Sequence, residues 1–497
     1  MSQARELANL RSIPTNGNIL LDFTSGDALQ AGGTCNIAAG LNSLGAATTG
    51  DDNIAIGRLA IGTGVTTGTG NIGLGISALS AVTGGTNNIS MGLTSADALL
   101  TGTDNIAIGR LAFSASTDGA DNIAIGRSAL AVSGNDGDTN IAIGLAALGT
   151  GDVAGAGNIG IGASALSAVT GGTNNIGVGL TSSDALLTGT DNIAIGRLSF
   201  SASTDGADNI AIGRSALAVS GNDGDTNIAI GLAALGTGDV AGAGNIGIGA
   251  SALTALTGGT NNIAMGLTSA DALLGGTDNV AIGRLSFSAS TDGADNIAIG
   301  RSALAVSGND ADCNIAIGLS ALGGADVSGL SNIAIGSLAA DAVTAGVCNI
   351  AIGSNAYGVA AAGGLNIAIG SIAMGAALVT GTNNIALGTT SLDALLAGTD
   401  NIALGLNAGG AVTNGDFNIA IGNGAGVGVT TEDKTINIGC GANQTTASVA
   451  CIVATCLMSA QFTATSDCRS KKNIKDLPFG LEFINLLRPV SYKWKPQ

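Results

Sequence analysis

The sequence predicts an all-β protein: an elongated parallel β-solenoid of about 24 coils with 17–18 residues each. Three observations carry this. The pentapeptide Asn-Ile-Ala-Ile-Gly, or a near variant, occurs 24 times, at Asn36, Asn53, Asn71, Asn88, Asn105 and Asn122 and on to Asn418 and Asn437. Successive copies lie 17 or 18 residues apart, except for a last interval of 19. Gly makes up 82 of the 497 residues, whereas Trp, Tyr and Phe number one, two and eight, too few for ordinary globular cores. An apolar fraction of 45%, placed periodically, argues against disorder.

Each coil is numbered here from its Asn. Position 2 is Ile, with Val280 the exception, and position 4 is Ile, Leu, Val or Met, except at Ala39 and Cys440. Position 3 is Ala, Gly or Ser, and position 5 is Gly throughout. The alternation has the period of a short strand, and the larger Ile pair is expected to face the interior. The Gly at position 5 suits a turn needing positive φ or a close backbone approach. Positions 6–12, as in Arg127–Ser133, read as a second short strand, and the remainder is turn chemistry. Asn side chains repeating in register should stack into a ladder along the rod.

With Ile inside, position 3 would form an outward stripe of small residues roughly 110 Å long at ~4.8 Å per coil. Such a stripe is rarely left open to water, so identical rods are expected to pack laterally as a parallel homotrimer. The alternative is a monomer whose own second strand covers the stripe. A longer period of 87 residues joins Asn71, Asn158, Asn245 and Asn332, and Ser114–Leu166 recurs letter for letter as Ser201–Leu253. Duplication of this kind lengthens a rod without changing its section. Arg110 and Arg127, Arg197 and Arg214, and Arg284 and Arg301 follow the long period and are expected to pair with nearby turn Asp residues.

The formal net charge is −18. Residues 441–497 carry seven basic and three acidic groups, and the acidity lies in the repeats. An acidic rod stays soluble and repels nucleic acid and anionic membranes, so neither nucleic-acid binding nor membrane insertion is expected. Met1–Leu10 is polar and does not read as a signal peptide, and Ala447–Met458 is too short to span a bilayer. The seven Cys include no CxxC pair, and Cys35, Cys313 and Cys348 share the place just before the Asn. Cys313 and Cys348 would lie two coils, about 9.6 Å, apart, beyond the ~7 Å limit for a disulfide. Free thiols and a reducing site of synthesis follow. With no His, His-based triads and most zinc sites are excluded, and no metal or cofactor is expected.

The chain divides into an N-terminal cap or attachment segment (1–35), the repeat shaft (36–441), a β-rich stem (442–465) and a C-terminal module (466–497). In the first, Glu6–Arg11 reads as a turn or two of helix and Asn18–Phe23 as a strand, a cap that hides the open solenoid edge.

The coil from Asn36 to about Gly441 resembles the NSVAIG-type head repeats of trimeric autotransporter adhesins, which build a left-handed trimeric β-roll. It is also similar to NTAVG-type repeats of phage tail fibres. This sequence shows neither a secretion signal nor a membrane-barrel pattern, which turns the expectation towards a viral fibre. The C-terminus reads Ser466–Ile474 (SDCRSKKNI), then Gly480-Leu481, Ile484, Leu487, Arg488-Pro489-Val490 and Tyr492-Lys493-Trp494-Lys495. This is similar to the start of the self-cleaving intramolecular chaperone of phage tailspikes and tail fibres. The motif residues carried over are Asp467, Arg469, Asn473, Ile474, Pro489 and Trp494.

The resemblance implies an α+β module that aids trimer assembly and then cuts itself off between Thr465 and Ser466. Ser466 would be the nucleophile and Lys471 its general base, a single-turnover Ser–Lys autopeptidase. A desolvated Lys can lose its charge and take the Ser proton. The family's domain continues through a GFIAQEV-like segment that this sequence lacks, so the module is expected to be partial. The function expected is a structural fibre for host attachment, located on the virion and assembled in the host cytoplasm. Its partners would be itself, a virion protein at the N-terminus and an unidentified host receptor. The alternatives are a cellular trimeric surface adhesin and a self-processing peptidase in the strict sense.

Overall fold

The computed structural model describes residues 16–452, apart from 22–23, 30–31, 133–136, 220–223, 307–311 and 361. The helix expected at Glu6–Arg11 and all residues from 453 onward lie outside the described residues.

Each coil contributes one three-residue strand, the Ile-x-Ile of its repeat. β1 (Ile19–Leu20) is followed by β2 (Ile37–Ala39), β3 (Ile54–Ile56) and so on to β24 (Ile419–Ile421), β25 (Ile436–Ile438) and β26 (Ala450–Ile452). Every strand pairs in parallel with the strand of the next coil, in register: Ile106 faces Ile123, Ala107 faces Ala124 and Ile108 faces Ile125. The result is a single 26-stranded sheet running the length of the solenoid. No helix occurs among the described residues.

The sidedness of the strand is the reverse of the sequence expectation. Ala at position 3 is fully buried, as at Ala124, Ala211 and Ala298, whereas Ile at positions 2 and 4 is half-buried or exposed. The reason is the Asn. Its amide must reach across the narrow coil to the carbonyl of the Gly at its far end, as Asn88 Nδ2 does to Gly102 O at 2.7 Å. Once position 1 points inward, the pleat turns position 3 inward and sends 2 and 4 out. The interior is lined by small Ala at positions 3 and 8 on most coils, with larger side chains at position 9 and either three residues on, as Leu79 with Val82, or five residues on, as Leu148 with Val153. The alternative in which the chain's own second strand covers an Ala stripe therefore falls.

That second strand is also absent among the described residues. Positions 6–10 form turns, with left-handed backbone at positions 7 and 9, such as Ser128 (φ +57°) and Leu130 (φ +48°). These turns still bond between coils. Ser128 N donates to Arg110 O behind it, and Leu130 N to Ala147 O ahead, both at 3.0 Å.

The Asn ladder is unbroken. Each Asn donates its backbone N–H to Oδ1 of the Asn one coil back, from Asn36 on Asn18 (2.8 Å) to Asn418 on Asn401 (2.9 Å). Asn18 opens it, and of the strand read at Asn18–Phe23 the two residues Ile19–Leu20 are already in solenoid register, while 22–23 lie outside the described residues. The last copy takes a different phase from the sequence reading. Thr435, not Asn437, stands in the ladder position, with its N–H and hydroxyl both on Asn418 Oδ1 (2.9 and 2.7 Å). Asn437 falls at position 3, opposite Ala420 and buried, and the spacing stays regular. Cys35, Cys313, Cys348, Cys440 and Cys451 are free thiols.

Candidate functional site: the outer face and flanks of the shaft

Ser466 and Lys471, the cleavage-site residue Thr465, and the motif residues Asp467, Arg469, Asn473, Ile474, Pro489 and Trp494 all lie outside the described residues. The features with functional geometry are on the shaft.

The sheet face is the first. Positions 2 and 4, mostly Ile, make two adjoining apolar rows from Ile37 to Ile421, and position 6 adds exposed Leu41, Leu93, Leu180, Leu267 and Leu406. At ~4.8 Å per strand the rows run for more than 100 Å. The face is continuous because the ladder fixes the register: a slip of one residue would bury Ile and expose Ala. Isolated exposed aliphatic residues are normal, but a contiguous apolar band of this length marks a surface that something covers.

Two charged rows flank this face. Arg58, Arg110, Arg127, Arg197, Arg214, Arg284 and Arg301 occupy position 6, just past the Gly turn, and all are exposed. Among the described residues none of the seven forms an ion pair, so the expected pairing with turn carboxylates is not seen there; Asp136, Asp223 and Asp310 lie outside the described residues. On the other side of the strand, the residue before the ladder Asn has left-handed backbone and is Asp on eight coils, from Asp52 to Asp400. The intervening strand separates the two rows within one chain.

A third feature, which no sequence argument identified, is a set of half-buried Asp residues at position 10: Asp97, Asp184, Asp271, Asp341 and Asp393. Burial pushes each carboxyl above the ordinary aspartate range, opposed by backbone N–H donors. Asp271 Oδ1 and Asp341 Oδ1 are buried with no hydrogen-bond partner. The recurring Ser-x-Asp-Ala-Leu context around Asp97, Asp184, Asp271 and Asp393 was the available signal; Asp341 lies in Ala-Ala-Asp-Ala-Val. Tyr357, the largest fully buried side chain, lies against the ladder, receiving Asn366 Nδ2 at 2.8 Å and donating to Gly363 O at 3.0 Å. Burial raises its phenol far above the usual value. Among the described residues no group of three or more His, Cys, Asp or Glu side chains is placed to hold a metal ion.

The arrangement holds surfaces at fixed spacing along the shaft. No characterised protein matches the chain. Residues 466–497 match the family model described as chaperone of endosialidase (Peptidase_S74), so the chain is a β-solenoid repeat shaft whose C-terminal segment is similar to that chaperone family.

Proposed function

We propose that this protein is the shaft of a viral or phage fibre used for host attachment, assembled as a parallel homotrimer with help from its C-terminal segment. The observation that carries the reading is the conjunction of an unbroken in-register shaft, from Asn18 to Thr435, with a chaperone-of-endosialidase match at its C-terminal end. The shaft's role is geometric. It sets the distance between an attachment segment at the N-terminus, which would join a virion protein, and a host-contacting tip. The uncovered Ile face supports assembly, because lateral contact between copies removes it from water. The interface expected on the Ala stripe moves to this opposite face.

A long parallel solenoid needs its copies aligned before they zip together, and a C-terminal chaperone supplies such a start. Release would then proceed at Ser466. Its Oγ attacks the Thr465 carbonyl carbon while Lys471 takes the hydroxyl proton. The bond to the Ser466 nitrogen breaks as an ester forms, Lys471 passing the proton to that nitrogen, and water hydrolyses the ester to a free Thr465 carboxylate and the Ser466 hydroxyl.

Native mass spectrometry of freshly expressed protein tests both parts. The expected species is three times the 47.4 kDa chain, or three times a chain ending at Thr465. Ser466→Ala should abolish the shorter chain and leave the trimer. A full-length monomer at micromolar concentration would overturn the assembly, and a short product that persists in Ser466→Ala would overturn the autocleavage.

A further inference from the structure

The Arg and Asp rows are correlated coil by coil. Arg58 is on the coil opened by Asp52-Asn53, Arg110 on that of Asp104-Asn105, and Arg127 on that of Asp121-Asn122. The duplicated units repeat the rule, with Arg197 and Asp191, Arg214 and Asp208, Arg284 and Asp278, and Arg301 and Asp295. Every shaft Arg therefore shares its coil with an Asp across the strand. The one further Asp in that row, Asp400, is half-buried and shares its coil with Leu406. Even with the duplicated unit counted once, the matches are independent events on different coils. Yet no such pair forms among the described residues. Adjacent coils also stack like charges, Arg110 on Arg127 and Asp104 on Asp121, about 4.8 Å apart.

We infer that the Arg row of one copy meets the Asp row of a neighbouring copy, coil for coil, in a parallel cyclic assembly with no axial stagger. The inference rests on the assembly proposed above and fixes its register. Around a cyclic axis with the Ile faces turned inward, the position-6 flank of each chain meets the opposite flank of the next. An antiparallel pair would instead set Arg flank against Arg flank. Six residues climb only about 1.7 Å of a ~4.8 Å coil, so Asp104 of one copy stands level with Arg110 of the next.

The register is unique. A stagger of one 87-residue unit would still match the central pairs, but it would place Arg58 opposite Thr139, Arg284 opposite Leu365 and Arg301 opposite Asn383. Rim pairs of this kind contribute little affinity; they select alignment and partner, while the apolar face supplies the binding. The Leu residues at position 6 on other coils keep that flank apolar between the charged levels.

The test uses the full chain in three forms, read by native mass spectrometry and circular dichroism. In the first, all seven Arg are changed to Asp. In the second, the same chain also carries Arg in place of the seven matched Asp. In the third, the seven Arg are changed to Gln. At low salt the first should need at least tenfold higher concentration to assemble. The second should assemble like the unmodified protein, and when co-expressed with it under a different tag should sort into separate complexes. The third keeps the spectrum and should lose the salt sensitivity of assembly. Should the first variant fail to fold, the sorting and the Gln variant still decide. An Arg→Asp chain that assembles normally, or a swapped chain that mixes freely with the unmodified one, overturns the register and leaves the fibre reading standing. An unmodified chain that stays monomeric overturns both.

Discussion

The Gly at position 5 shows how one residue type is enforced by two independent demands. Its φ lies between +118° and +145° on every coil from Gly40 to Gly439, where L side chains are rarely found. Its missing side chain is also where the next coil passes. A Cβ on Gly196 would lie 2.5 Å from Gly213 O and 2.7 Å from Gly213 C. Both obstacles are backbone, so no rotamer change relieves them. Gly196→Ala should therefore cost about 2 kcal/mol or more, measured by chemical denaturation. An unchanged midpoint would show that the coil spacing is softer than the contacts imply.

The half-buried Asp residues belong to the same scale. The folded pKa of Asp271 is raised above its ordinary value of 3.8 by burial, so the folded chain binds its proton more tightly than the unfolded chain. Its contribution is fully present below that ordinary value and is lost as pH rises through the folded pKa. Asp271→Asn should accordingly melt higher than the unmodified protein at pH 7, and the difference should shrink as pH falls towards 3.8. Melting curves of the two chains in parallel check this. A gap that stays constant with pH would mean that the carboxylate is solvated.

Within a coil, the interior behaves as one packed volume shared by two positions. Where position 9 is Phe, as at Phe113, Phe200 and Phe287, the residue three places on is Ser116, Ser203 or Ser290. Where position 9 is Ala96, Ser183 or Ala270, its counterpart is Leu99, Leu186 or Leu273. Tyr357 is matched by Ala360. On these coils a bulky side chain at one position goes with a small one at the other, as close packing requires. Ser203→Leu should overpack against Phe200 and cost about 1–3 kcal/mol. Combining it with Phe200→Ala should recover most of that loss, since the pair then copies the Ala270–Leu273 coil. A double variant no better than Ser203→Leu alone would refute the shared-volume account.

At the scale of the whole molecule, coils are interchangeable modules and length is the variable quantity. Residues 114–200 span one 87-residue unit whose removal joins Phe113 to Ser201, the same dipeptide found at Phe200–Ser201. Such a deletion should fold and shorten the rod by roughly 24 Å, five coils at ~4.8 Å each. Negative-stain images of the two lengths side by side would show it. An aggregated or unfolded product would mean that this unit carries something beyond extension. The register inferred between copies predicts more: the deletion removes matched Arg and Asp together, so the shortened chain should still assemble with itself.

The period, the all-β solenoid class, the Asn ladder and the glycine turn were legible because each repeats, and repetition makes one local preference visible two dozen times over. The C-terminal resemblance was legible for a different reason, a long contiguous motif from Ser466 to Lys495. The sequence misled where the answer depended on what stands opposite. Ile is larger and more apolar than Ala, so a strand read alone puts Ile inside. The interior is too narrow for it, and the buried amide of the Asn sets the parity instead. Likewise Ser128 and Leu130 look extended in sequence, but their left-handed backbone is imposed by bonds to the coils above and below. Arg127 and Asp121 look like partners until the strand is seen to stand between them. The sequence by itself determined a stack of identical coils. Only the tertiary structure decided which side of each strand meets water, because that choice is made by hydrogen bonds across the coil and between coils, and not within any five residues.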